Sequence, residues 1–160
     1  MTSHRRWVFV LGDYKLRIEM TDWDGKSYWV EYSHFRLGDE ANKYSLHAHG
    51  YSGTAGDSLT ADWVSHNNLP FSTKDNDNDK RFYDNCAEHY HGAWWFNSCF
   101  ESHLNGVYYH RGSHRDYFVR NGIQWNALHA HASLKQVTMM ITPNPNVTEE
   151  MQDELRNDLK

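Results

Sequence analysis

Polar and apolar positions alternate most cleanly from Tyr14 to Thr21. Leu16, Ile18 and Met20 fall on one face, and Lys15, Arg17 and Glu19 on the other. A period of two marks a strand with one buried face, so this segment is expected to be a half-buried β-strand. Asp24-Gly25 follows as a two-residue hairpin turn, where glycine supplies the positive φ that such turns need. Ser27 to Ser33 returns as an aromatic strand carrying Tyr28, Val30 and Tyr32. Beyond the turn-like Gly38-Asp39-Glu40, Lys43 to His49 reads as a third extended segment, and the three predict an antiparallel meander. From Gly50 onward turn formers dominate and the periodicity fades, so residues 59–122 are expected to be ordered loops. Strand character resumes over Ser133 to Ile141, and Pro143 and Pro145 end it. The expected division is a sheet part at about 1–58, a loop-rich part at about 59–145 and an acidic tail over 146–160. That tail holds at most a short helix, capped by Asn146 with Glu149 reaching back.

Composition then narrows the picture. A chain of 160 residues suits one domain, or one domain with a tail. Seven Trp, ten Tyr and seven Phe stand against a mean hydropathy of -0.87, so the core has to be aromatic. The net charge is -5 and no run of Lys or Arg appears, which leaves no footprint for a phosphate backbone; nucleic acid is not an expected partner. No apolar stretch approaches the roughly 20 residues that span a bilayer, and membrane insertion is not expected. Met1 to Trp7 is basic, but only a short apolar stretch follows before Gly12-Asp13, which does not read as a signal peptide. An export signal, if any, would lie outside this chain.

Candidate chemistry concentrates between Phe71 and Gly106. Asp75, Asp77 and Asp79 alternate, and calcium takes about 6–8 oxygens from carboxylates, carbonyls and water. An EF-hand is excluded: Lys80 stands where the sharp-turn glycine belongs and Cys86 where the bidentate glutamate belongs. In isolation such a ladder would read as a solvated acidic turn. Cys86 and Cys99 enclose residues 87–98. A bridge there would contribute about 3 kcal/mol, and the alternative is two buried free thiols in a reducing compartment. The neighbouring chelation and turn signals favour the bridge and an oxidising compartment. Among twelve histidines, the pairs His47/His49, His89/His91 and His129/His131 would each share a face if extended. Zinc could use such pairs, but no Cys or Glu completes a set, so surface and packing roles are expected. Asn146-Val-Thr148 is a glycosylation sequon that matters only in a secreted chain. No nucleophile–base spacing stands out, and an enzyme is not expected.

The motifs Tyr51-Ser-Gly-Thr-Ala-Gly-Asp-Ser-Leu59, Phe71-Ser-Thr-Lys-Asp75, Asn85-Cys-Ala87, Gly92-Ala-Trp-Trp95, Leu104-Asn-Gly106, Gly122-Ile-Gln-Trp125 and Ser133-Leu-Lys135 together resemble the fibrinogen-related domain. Fibrinogen chains, ficolins, tachylectins, angiopoietins and tenascins share that domain. The resemblance runs from about Tyr14 to Pro143 and implies an α+β fold: a twisted antiparallel β-sheet with short helices, then a loop-rich calcium-binding subdomain. It implies a Ca2+ site with carboxylates from Asp77 and Asp79, and Asp75 as loop support. Two backbone carbonyls would complete it. The segment from Asp79 to Cys86 is one residue longer than the family pattern. Counting back from Asn85-Cys86 gives Phe82 and Asp84, the preferred pair; counting forward gives Arg81 and Tyr83. The resemblance also implies a Cys86–Cys99 disulfide and a ligand pocket made by Tyr90, a cis peptide at Ser98-Cys99, the Cys99 N–H, Phe100 and Tyr117, with Phe118 as the alternative to Tyr117. Phe100 stands where acetyl-binding members carry His; it keeps the wall and loses a hydrogen bond. Trp94 and Trp95 are expected in the core. The family's N-terminal subdomain has no counterpart here, which should leave part of the sheet uncovered.

The function so implied is calcium-dependent extracellular recognition, lectin-like and of the innate-immunity kind, binding acetylated glycans. The alternative is a protein-binding module for a receptor or matrix partner. Either would be expected to act as an oligomer in a longer context.

Overall fold

The computed structural model describes residues 13–61, 64–112, 120–129 and 132–144. Its strands are β1 (Tyr14–Thr21), β2 (Ser27–Leu37), β3 (Leu46–Gly53), β4 (Ser102–His103), β5 (Gln124–Trp125) and β6 (Gln136–Pro143), with a one-turn helix α1 (Cys86–His89). Four strands form an antiparallel sheet in the order β3-β2-β1-β6, and β4 pairs with β5. The fold is thus mostly antiparallel sheet with little helix, as the sequence pattern and the resemblance imply.

The alternation in β1 does what it predicts: Leu16, Ile18 and Met20 are buried while Glu19 is exposed. The hairpin turn rests on Asp22 as much as on glycine. Asp22 Oδ1 accepts from the N–H of Asp24 (3.0 Å) and Lys26 (2.9 Å), and Gly25 takes φ +82°. In β2 the register slips between Tyr14/Phe35 and Leu16/Tyr32, so the buried positions run Val30, Tyr32, Phe35. The strand is also longer than the pattern shows, reaching Leu37.

β3 begins at Leu46, three residues later than expected. Lys43 and Tyr44 hold φ of 51° and 53°, and Tyr44 N–H donates to Asp39 O, so a turn occupies that stretch. β6 likewise begins later, at Gln136, because the N–H of Leu134 is bound to Ile123 O and that of Lys135 to Thr21 O. It then lies beside β1 over its full length, Tyr14 facing Pro143 and Thr21 facing Gln136.

The core runs from the sheet into the loops and is aromatic there: Trp94, Trp95, Phe96, Phe100 and Trp125 are all buried. Trp94 and Trp95 pack 5.0 Å apart. The polar tips of Trp95, Trp125 and Tyr32 tie distant segments together. Trp95 Nε1 donates to Tyr44 O (2.8 Å), Trp125 Nε1 to Gly56 O (2.9 Å) and Tyr32 OH to Asp57 Oδ1 (2.7 Å). Asp57 also accepts from the N–H groups of Leu59 and Thr60. Burial raises its carboxyl, but these hydrogen bonds outweigh it and hold the group below the ordinary carboxylate range.

Candidate functional site

The acidic ladder is a loop organised by its own side chains. Ser72 bridges to Trp94 through paired backbone bonds of 2.9 and 3.2 Å. Thr73 Oγ1 donates to Asp75 Oδ1 at 2.7 Å, and this bond lowers the Asp75 carboxyl. Asp75 therefore supports the loop. Asn85 caps α1: its Oδ1 accepts from the N–H of Ala87 (2.7 Å) and Glu88 (3.1 Å), while its Nδ2 donates back to Thr73 O (3.1 Å).

Asp77 and Asp79 sit between these anchors. Asp77 Oδ1 accepts from Asp79 N–H at 3.1 Å. Asp79 Oδ1 accepts from Arg81 N–H (2.7 Å) and Oδ2 from Cys86 N–H (2.8 Å). Burial raises the Asp79 carboxyl, and the negative charge of Asp77 adds to it against the two backbone bonds. Two carboxylates close enough to repel, on a tightly turned loop, suit a hard divalent cation. Among the described residues no group of three or more His, Cys, Asp or Glu could hold a metal ion, so carbonyls would have to complete the set. The Asp84 carboxylate is occupied otherwise, at 2.6 Å from Arg81 Nε and 3.6 Å from His89 Nδ1, which leaves its carbonyl as the group to contribute. The donor chemistry of this loop fits calcium. Next to it, Phe82 and Tyr83 are 88% and 92% exposed, their rings 5.2 Å apart and edge to face.

Cys86 and Cys99 are bridged, with Cα atoms 5.7 Å apart, and the Ser98–Cys99 peptide is cis. The bridge joins α1 to the loop that carries the candidate pocket. Tyr90, at the end of α1, meets Phe100 edge-on with centroids 4.8 Å apart. Phe100 is only 8% exposed and also packs on Phe96 and His103. Asn97 N–H donates to Cys99 O, whereas the Cys99 N–H has no partner among the described residues. Ser98 is exposed. Tyr117 and Phe118 lie outside the described residues.

Sequence reasoning missed two histidines behind this wall. His66 is fully buried, and its Nδ1–H donates to Trp95 O at 2.7 Å. Its Nε2 accepts from both Glu101 N–H and Ser102 N–H at 3.1 Å. One neutral imidazole thus ties both ends of the Trp95–Ser102 loop. Burial pushes its pKa down to about 4. His103 is also fully buried, neither ring nitrogen has a partner, and burial takes it down to about 3. The signal that could have found His66 is its place in otherwise loop-forming sequence, where a buried polar ring satisfies backbone groups; no such signal marks His103.

The His-x-His pairs do other work. His47 bonds Asn68 and Ser45, His49 stacks on His34 at 4.3 Å, His89 packs on Tyr90, and His129 faces Asp22 at 3.5 Å. His131 lies outside the described residues.

An antiparallel sheet leading into a disulfide-tied, aspartate-rich loop region defines one class of fold. The profile of "Fibrinogen beta and gamma chains, C-terminal globular domain" matches residues 7–144, and the chain belongs to that family. It is 44% identical over 147 residues to Fibrinogen-like protein 1 of Bos taurus, covering 85% of this chain and 46% of the relative. It is 47% identical over 131 residues to Angiopoietin-related protein 7 of Mus musculus, covering 81% and 37%. Among solved structures, the fibrinogen-like globe domain of human ANGPTL2 superposes with a TM-score of 0.77 at 44% identity, covering 84% of this chain and 60% of that one. The chain thus spans less than half the length of these curated relatives.

Proposed function

We propose that the chain is an extracellular protein-recognition module of the angiopoietin-related kind, working through its calcium loop. One contrast carries the reading. Phe100, beside Cys99, is only 8% exposed and packs on Tyr90, Phe96 and His103, whereas Phe82 and Tyr83 stand almost fully exposed on the neighbouring loop. Phe and Tyr are among the residue types enriched in protein interfaces, and Tyr among those enriched at hot spots. Similarity to angiopoietin-related proteins supports the same direction. The Cys86–Cys99 bridge suits an oxidising, extracellular setting.

Asp77, Asp79 and the carbonyls of Phe82 and Asp84 would hold a calcium ion, which would neutralise the paired carboxylates and stiffen the loop. Asp84 and Arg81 clamp its base through their ion pair, and Phe82 and Tyr83 present their rings outward. The fluorescently labelled chain should show saturable binding to animal cells. Phe82→Ser with Tyr83→Ser, which leaves every backbone carbonyl in place, should weaken it about tenfold or more. Unchanged binding by a folded double variant would remove the loop from the interface.

The Cys99 N–H favours a second reading. Among the described residues it has no partner, and the ring of the next residue, Phe100, packs on Tyr90. An acetyl methyl could rest on the two rings while its carbonyl oxygen accepts from that N–H, so recognition of acetylated glycans remains the competing function for this pocket.

A further inference from the structure

We propose that Arg81 is a positioning residue that joins the calcium loop to the Cys99 turn, so that filling the loop also sets the place of the Cys99 N–H; this rests on the calcium reading above. Arg81 meets every part of the arrangement. Its backbone N–H donates to Asp79 Oδ1 at 2.7 Å, and its Nε lies 2.6 Å from Asp84 Oδ1. Its Nη1 donates to Cys99 Sγ at 3.4 Å. Asp79 brings a carboxylate to the candidate ion, Asp84 brings a carbonyl, and Cys99 carries the N–H of the candidate pocket.

The shape of the side chain matters here. A guanidinium is a planar fork whose donors point in fixed directions. Nε and Nη1 belong to one rigid plane, so the Asp84 carboxylate and the Cys99 sulfur are held at a set spacing. Sulfur is a weak acceptor, and that bond alone would decide little. Two backbone bonds run beside it: Lys80 N–H donates to Asn97 O at 3.0 Å, and Asn97 N–H to Cys99 O at 2.7 Å. Cys86 N–H donates to Asp79 Oδ2, and Cys86 is bridged to Cys99. Loop and turn are therefore bonded into one unit. Asp79 would hold calcium with the carboxylate that already accepts from Arg81 and Cys86, so a shift of that carboxylate is felt at both N–H groups. Cys86 passes the shift on through the disulfide, and Arg81 through its fork. A ligand accepting from the Cys99 N–H would then favour calcium by the same factor that calcium favours the ligand. The Arg81 side chain is 32% exposed, and replacing it removes no backbone bond.

Amide NMR spectra of the isotope-labelled chain, metal-free and at saturating calcium, test the role. In the wild type the amides of Asp77 and Asp79 should shift, and those of Cys99 and Phe100 with them. Arg81→Met removes the fork at similar length. At saturation Asp77 and Asp79 should still shift in this variant, while the Cys99 and Phe100 shifts fall at least about twofold. Arg81→Lys keeps the charge without the fork and should show the same loss. Cys99 and Phe100 shifts of full size in either variant overturn the proposal. So do wild-type spectra in which Asp77 and Asp79 move and Cys99 does not. No calcium shift anywhere in the wild type would remove the calcium reading itself, and this proposal with it.

Discussion

Asp77 and Asp79 show how much chemistry two adjacent positions hold. Asp77 accepts from the Asp79 N–H, and the backbone bonds from Arg81 and Cys86 fix Asp79 without neutralising it. Calcium at about a hundredfold its dissociation constant should stabilise the folded chain by about 2.7 kcal/mol. Asp77→Ala with Asp79→Ala should abolish that gain in a thermal melt, and an equal calcium response in the double variant would move the ion elsewhere. His66 makes a second argument at this scale. Its folded pKa of about 4 lies below the ordinary 6.5, so the unfolded chain binds the proton more readily between those values. Stability from His66 is therefore whole above pH 6.5 and is lost as pH falls toward 4, by about 1.4 kcal/mol per pH unit. His103, at about 3, acts in the same direction. Denaturant melts of His66→Gln should show a shallower fall over that window, and a slope equal to the wild type would contradict the role. The Asp ladder was legible in the sequence because its partners are local. His66 was not, because it bonds Trp95, Glu101 and Ser102 across 29 to 36 residues.

Among the elements, β1 and its hairpin were readable because alternation and the Asp24-Gly25 turn lie within a few residues. The start of β3 was not: only the bond from Tyr44 to Asp39 and two left-handed residues show that a turn displaces it. Nor did alternation say that β6 would sit beside β1, since strand pairing across more than a hundred residues leaves no local mark. The loop half depends on a staple instead. The bridge ties α1 to the Cys99 loop, and replacing both cysteines with serine should cost about 3 kcal/mol of stability on the loop-entropy account. Mass spectrometry of the unreduced protein should show the Cys86–Cys99 peptides linked. Two alkylatable thiols in the native protein would contradict the bridge.

At the scale of the molecule, scarce aliphatics and abundant aromatics foretold the core. Trp94, Phe96 and Trp125 fill it, and the ring N–H groups of Trp95 and Trp125 and the Tyr32 hydroxyl bond segments distant in the chain. Which surface recognises a partner depends on exposure, and no pattern along the chain encodes that. Phe100 and Phe82 look alike in sequence, yet one is 8% exposed and the other 88%. Protein recognition through the exposed loop is the central claim. Binding of the labelled chain to cells, compared before and after surface proteolysis and with excess free N-acetylglucosamine, tests it most directly. Proteolysis should remove saturable binding while N-acetylglucosamine leaves it unchanged, and full competition by the sugar would contradict the account in favour of the acetyl pocket.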